Sequence, residues 1–325
     1  MRDLRLGLVF IIVIFVLAFT QIYNLYTKLD QHIEQSRKNN VQTKQQFQLN
    51  SEDDIVVVYN RVPKTGSTSF VNVAYDLCKR NKFHTLHVNV TGNNHVLSLA
   101  NQYKIVQNIT HWDNMKPAVY HGHFAFIDFA KFSARKPLFI NIVRKPLDRL
   151  ISYYYFLRYG DNYRPYLIRK KHGDTMTFDE CFLKNQADCD PNNMWLQIPF
   201  FCGHSVECWK PGNSWALEEA KKNLINNYLL VGVTDELNDF VNILEQTIPR
   251  IFKGAGDYFL NSNKSHLRRT VQKTEPSEET VRKIQQHIVW QMENELYEYA
   301  LEQFHFVKSH SDKLQSFMYE KVRPK

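Results

Sequence analysis

The hydrophobic pattern divides the chain into three stretches. Between Arg5 and Lys28 stand 22 residues without a charge, and Leu6 to Phe19 is apolar without a break. About 20 such residues span a bilayer, so residues 6–27 are predicted to form a transmembrane signal-anchor behind a cytoplasmic tail of residues 1–5. No small-residue cleavage site follows the run. Tyr23 and Tyr26 suit a membrane interface, and Arg2 and Arg5 favour a cytoplasmic N-terminus. Residues 28–53 are rich in Gln, Asn, Lys and Ser and read as a luminal stem. The folded domain is expected over 54–325.

That domain opens at Ile55–Tyr59, a short apolar run of the kind a fully buried strand shows. A Gly/Ser/Thr loop, 60–69, leads to a helix over 70–79, with Val71, Ala74, Tyr75 and Cys78 at helical spacing. Further strands are predicted at 118–124, 137–143 and 228–233, with helices at 147–159 and 235–244. Ser277, Glu278 and Glu279 begin one long final helix carrying Val281, Ile284, Ile288, Met292 and Leu296. Apolar strands alternating with helices specify an α/β domain around a central, mainly parallel sheet.

Composition adds compartment and partner. Lys plus Arg outnumber Asp plus Glu by 41 to 33, a net charge of +8 in 325 residues, which favours an anionic partner. Apolar residues at 43 % exclude wholesale disorder. Asn89, Asn108 and Asn263 each begin a glycosylation sequon. Four of the five cysteines form two close pairs, Cys181 with Cys189 and Cys202 with Cys208. Neither spacing is that of a zinc site, so disulfides are expected and no metal. Four cysteines allow three pairings; the short polar loops favour the nearest-neighbour one. Cys78, left over on an apolar helical stretch, reads as a buried thiol.

The candidate chemistry lies at strand ends, where open α/β sheets bind ligands. Pro63-Lys-Thr-Gly-Ser-Thr-Ser69 joins the first strand to a helix N-terminus, whose unpaired N–H groups attract phosphate or sulfate. Lys64 adds charge; Thr65, Ser67 and Thr68 add hydroxyls. No Walker A sequence is present, which disfavours a nucleoside-triphosphate hydrolase or kinase. Arg144 ends another strand, with Ser152 about two helical turns on, and the pair suits a second phosphate. His121 and His123 alternate at the end of a third strand and can face one site. A neutral histidine is a natural base for a hydroxyl nucleophile, with activity expected to fall through a pKa near roughly 6.5. Arg158, Arg164, Arg169, Lys170 and Lys171, interleaved with Tyr159, Tyr163 and Tyr166, read as a groove for an acidic polymer. Out of context that groove would also suit single-stranded nucleic acid, which a luminal protein does not meet.

The segments RVPKTGSTSF, YHGHF, SYYYFLRYGDNYRP, TFDEC, WLQIPFFCGH, LVGVT, KSHLRRT and MENELYEYALEQF, with the cysteine spacing, resemble the Golgi uronyl 2-O-sulfotransferases that act on heparan sulfate. The likeness runs over residues 55–308. It departs at Gly66, where alanine is expected, and at Lys145, where an acidic residue is expected. The resemblance implies a P-loop-like sulfotransferase fold and a donor, 3′-phosphoadenosine 5′-phosphosulfate. It implies transfer to the 2-hydroxyl of a hexuronic acid, iduronate favoured. Lys64, Thr65, Gly66, Ser67 and Thr68 would then hold the 5′-phosphosulfate, and Arg144 and Ser152 the 3′-phosphate, with Leu267 and Thr270 closing over the nucleotide. His123 would be the base, His121 its support, and Lys64 would meet charge on the leaving phosphate. Arg61, Tyr75, His87, Arg169 and Arg268 would grip the acidic sugar. A homotrimer in the Golgi membrane is implied as well, to which the 309–325 tail, with Phe317 and Tyr319, could contribute. Two alternatives stay open: a chondroitin or dermatan acceptor, and a non-catalytic glycan-binding membrane protein.

Overall fold

Five strands line up in the order β2-β3-β1-β4-β5, every neighbouring pair parallel, in a computed structural model of the chain. The structure describes residues 52–90, 94–262, 270 and 272–310. The chain divides into two units, Met1–Leu49 and Asn50–Lys325, and the described residues all belong to the second. The predicted tail, anchor, nearly all of the stem and the 311–325 tail lie outside the described residues. Among the described residues no helix is long and apolar enough to cross a membrane.

Three strands fall where their apolar runs place them: β1 at Val56–Asn60, β4 at Leu138–Val143 and β5 at Tyr228–Val233. β3, Ala118–Gly122, stops one residue short of His123. The sequence reading passed over β2, His84–His87. It is an edge strand with none of its residues fully buried, so the apolar run that marks a buried parallel strand is missing. The helices are α1 Ser67–Leu77, α2 Leu99–His111, α3 Pro146–Tyr159, α4 Phe178–Leu183, α5 Gln197–Cys202, α6 Ser214–Asn227, α7 Leu237–Thr247, α8 Pro249–Phe252, α9 Ala255–Asn261, α10 Glu278–Gln285 and α11 Ile288–Ser309.

Both faces of the sheet are covered by aromatic clusters, as side-chain alternation along the strands requires. Tyr59 meets Phe70 of α1 at 5.3 Å, and Phe70 in turn packs on Phe240 of α7 and Phe252 of α8. Phe139 belongs to the other face, one residue out of step with the pairing of Tyr59 and Ile140. There it packs with Phe126, Phe129 and Tyr228. A polar link crosses the sheet within this core. Asn141 Nδ2 donates to the Asn60 carbonyl (2.8 Å), and Tyr228 OH donates to Asn60 Oδ1 (2.9 Å), which holds β1, β4 and β5 in register at the edge where the site lies.

Three expectations are corrected. The final helix is two: the chain breaks between α10 and α11, and the His287 ring caps the new start by accepting from the Val289 N–H. Ile284 and Leu296 are buried as predicted, whereas Ile288, at the break, is exposed. Cys78 is half-buried, its Sγ donating to the Tyr75 carbonyl, because α1 ends one residue before it. Arg158 is not a groove residue. It is 2 % exposed, lies 3.6 Å over the Tyr154 ring and pairs with Asp174 and Asp188. The cysteines pair as nearest neighbours, Cys181 with Cys189 and Cys202 with Cys208.

Candidate active site

The carboxyl ends of β1, β3 and β4 open side by side, and the chain is reversed there by residues with unusual backbone. Lys64 and Gly66 both lie in the left-handed region, at φ 70 and 79. For Gly66 this costs little; a Cβ there would also stand 3.0 Å from Leu237 Cδ1, which fits glycine at this position. For a lysine the conformation stores strain of order 1 kcal/mol. Gly66 precedes α1 without a side-chain cap, so N–H groups of the first turn remain open to an anion.

Around this turn the donor-side residues gather. Lys64 Nζ lies 4.2 Å from the centroid of the Phe156 ring in α3. Arg144 Nη1 donates to the Lys64 carbonyl (3.3 Å), joining the ends of β1 and β4. Arg144 Nε is buried with no hydrogen-bond partner among the described residues. Thr65 and Ser67 are buried and Thr68 is half-buried; Thr65 Oγ1 donates back to the Val62 carbonyl (3.0 Å), closing the loop on itself. Thr234 Oγ1, beyond β5, donates to both the Thr65 and Val143 carbonyls. Ser152 is buried in α3, and its carbonyl accepts from Thr270 Oγ1 at 3.5 Å. Lys145 lies 3.8 Å from Asp235, an exposed pair.

A second cluster holds five of the residues expected on the acceptor side. Tyr75 OH and His121 Nε2 are hydrogen-bonded at 2.8 Å, and the His87 ring stacks on His121 at 5.0 Å. His121 is 3 % exposed. His123, one residue beyond β3, is half-buried and turns to Arg61 instead. Its Nδ1 donates to the Arg61 carbonyl (2.8 Å), and Arg61 Nη2 donates to its Nε2 (3.1 Å). A carbonyl only accepts and a guanidinium only donates, so the two bonds together fix one neutral tautomer, with the proton on Nδ1 and the lone pair on Nε2. Between the histidines Gly122 is required: a Cβ there would lie 2.6 Å from the Val88 carbonyl.

Burial, followed by the Arg61 charge, pushes both His121 and His123 down to about 3. That is far below the roughly 6.5 expected of an unperturbed ring, so both rings are neutral across the physiological range.

Arg169, from the 160–177 loop, comes to the Phe156 ring that Lys64 also contacts, its guanidinium 4.3 Å from the centroid. It is also paired with buried Asp161 at 3.3 Å. Lys171 pairs with Asp188, while Lys170, Arg164, Tyr163 and Tyr166 are exposed. Leu267, Arg268 and Asn263 lie outside the described residues. Asn89 and Asn108 are exposed, Asn108 on α2. Among the described residues no His, Cys, Asp and Glu group could hold a metal ion.

Sequence reasoning missed several parts of the site. Phe156 carries both Lys64 and Arg169. His95 Nδ1 donates to the His123 carbonyl at 3.0 Å. Gln197 and Glu293 hold the backbone of Arg144: Gln197 bonds both its N–H and its carbonyl, and Glu293 Oε2 accepts from Gln197 Nε2 at 3.3 Å. Gln197 belongs to WLQIPFFCGH and Glu293 to MENELYEYALEQF, but nothing in either segment announces the pairing.

Comparison with known proteins agrees with this architecture. A family model described as "Sulfotransferase family" matches residues 47–300. A protein of Drosophila melanogaster named "Heparin sulfate O-sulfotransferase" is 63 % identical over 280 residues, covering 84 % of this chain and 80 % of that protein. "Heparan sulfate 2-O-sulfotransferase 1" of Gallus gallus is 55 % identical over 292 residues, covering 87 % and 82 %. The Homo sapiens protein of the same name is 54 % identical over the same shares. The likeness seen in the motifs thus extends over most of the chain, and the chain belongs to the sulfotransferase family.

Proposed function

We propose that the protein transfers a sulfuryl group from 3′-phosphoadenosine 5′-phosphosulfate to the 2-hydroxyl of a hexuronic acid in heparan sulfate. The observation that carries this reading is the His123 ring, whose tautomer leaves a lone pair on Nε2 beside an arginine suited to a carboxylate. Relatives at 54 and 55 % identity named heparan sulfate 2-O-sulfotransferase 1 support it, as does one at 63 % named heparin sulfate O-sulfotransferase.

The residues fit the donor. An uncapped helix start, the hydroxyls of Ser67 and Thr68 and the Lys64 charge suit a phosphosulfate. Arg144 Nε, without a partner among the described residues, suits a further phosphate. The donor supplies the activated sulfur. His123 Nε2 takes the proton of the acceptor hydroxyl as that oxygen bonds to sulfur. Lys64 meets the charge that develops on the leaving phosphate. Tyr75 and His87 brace His121, and Arg61 and Arg169 face the acidic sugar. The same reading puts this domain in the Golgi lumen, glycosylated, behind an anchor at 6–27 and assembled as a homotrimer.

The test is transfer of radiolabelled sulfate to a panel of desulfated glycosaminoglycans, followed by disaccharide analysis. Label on uronic acid of heparan sulfate is expected. Label only on chondroitin or dermatan uronic acid reassigns the acceptor, and no transfer with any acceptor removes the enzyme reading.

A further inference from the structure

The atom that has to take the acceptor's proton is already occupied. His123 Nε2 accepts from Arg61 Nη2 at 3.1 Å, while the other ring nitrogen is spent on the Arg61 carbonyl at 2.8 Å. The side chain and the backbone of one residue therefore hold both ends of the ring. We propose that Arg61 masks the base in the free enzyme, and that the acceptor's own carboxylate unmasks it by drawing the guanidinium away. This rests on the functional reading above and goes beyond it, because it makes the acceptor's charge a condition for proton transfer as well as a handle for binding.

The exchange is favourable on simple grounds. The bond from the guanidinium to the imidazole runs from a charge to a neutral acceptor. Against a carboxylate the guanidinium makes two parallel, charge-assisted bonds, roughly twice as strong each. Arg61 is half-buried at the end of β1, and its backbone N–H is tied to the Gly122 carbonyl at 2.8 Å. Its anchor thus stays in place while its side chain exchanges partners, and His123 keeps its Nδ1 bond and its tautomer throughout. The groups that act on the ring are Arg61 from the β1 loop, His95 from the 94–98 segment and His87 from β2. His121, on β3, is held by Tyr75 and His87. Arg61 is the only one of these groups whose hydrogen bond covers the Nε2 lone pair.

A consequence concerns the donor. With Nε2 covered, a water near the sulfur finds no base, so the donor is protected until an acidic acceptor arrives. In a transfer to water, the water oxygen would bond to sulfur, the bridging S–O bond would break toward the phosphate, and the water's proton would need Nε2. Masking withholds that last partner.

Two measurements test the proposal. The first compares native with carboxyl-reduced heparan sulfate on the wild-type enzyme. If the carboxylate only binds, its removal raises KM and leaves kcat unchanged. Unmasking predicts that kcat falls as well, by about tenfold or more, since a general base contributes about 10²–10⁴. In Arg61→Met the kcat difference between the two acceptors should vanish. The second follows the His123 ring by NMR with labelled histidine and 3′-phosphoadenosine 5′-phosphate present. Its pKa should rise when a native heparan oligosaccharide is added and stay low with the carboxyl-reduced one. In Arg61→Met it should be raised before any acceptor is present. Equal wild-type kcat for both acceptors, or a His123 titration that the native acceptor leaves unmoved, overturns the proposal. Absence of wild-type transfer overturns the functional reading instead, and the two failures are distinct.

Discussion

Gln197 grips Arg144 by both of its backbone groups: its Oε1 accepts from the Arg144 N–H at 2.9 Å and its Nε2 donates to the Arg144 carbonyl at 2.9 Å. Gln197 is fully buried, and Glu293, also buried, accepts from its Nε2 and from the N–H groups of Leu196, Gln197 and Ile198. The start of α5 and the second turn of α11 thereby set the position of an arginine at the end of β4. Gln197→Leu would leave the Arg144 N–H and carbonyl unpaired, each at a cost of about 1–3 kcal/mol. The variant should melt at lower temperature and bind 3′-phosphoadenosine 5′-phosphate more weakly, with acceptor affinity unaltered. Calorimetric titration of a folded variant checks this, and donor affinity equal to wild type would show that the grip does not serve the nucleotide.

Lys64 and Arg144 are neighbours with different tasks. Lys64 is held over Phe156 by a strained backbone, and Arg144 is fixed through its main chain. Lys64→Ala should lower turnover by a factor of about 10² or more, as for a lost transition-state donor. Arg144→Ala should chiefly weaken donor binding. Steady-state kinetics with donor varied separates them; equal and small effects from both would mean that this turn does not hold the phosphosulfate.

Neutral buried histidines make stability depend on pH. His121 and His123 are pushed down to about 3 and His204 to about 4, each chiefly by burial. In the unfolded chain they titrate near about 6.5. Below that value the unfolded state binds more protons, so their contribution is complete above about pH 6.5 and declines as pH falls toward the folded values. Each ring contributes up to about 1.4 kcal/mol per pH unit in that window. The melting temperature should fall clearly between pH 7 and pH 5; a flat profile would contradict neutral burial.

The parts legible in the sequence are those whose signal is local. β1, β4 and β5 are buried on both faces, and each announces itself as an apolar run that only Asn60 and Asn141 interrupt. α2 carries only Val106 and Ile109 as buried residues, too few for a periodic stripe, and was missed. The segment Arg158–Lys171 looked like a basic groove because the carboxylates that neutralise Arg158 lie 16 and 30 residues further on. Strand alternation put His121 and His123 together, though β3 ends before His123 and the two rings take different partners; that Arg61, Tyr75 and His87 join them came from motif likeness, since their spacing in the chain implies nothing about contact. The grip of Gln197 and Glu293 on Arg144 is a tertiary fact of buried polar groups finding each other across 53 and 96 positions.

The most direct test of the account is His123→Ala, with turnover and both binding constants measured on the folded protein. A base acts in the transition state, so its loss should abolish transfer while donor and acceptor affinities stay near wild type. His121→Ala, which removes a ring held by Tyr75 and stacked on His87, should cost less turnover or should cost binding and stability too. The acid limb of wild-type kcat/KM, which reports the free enzyme, should lie well below pH 6.5 because His123 is held near about 3. Substantial turnover in a folded His123→Ala protein, with none in His121→Ala, would contradict the account and move the base to the other ring.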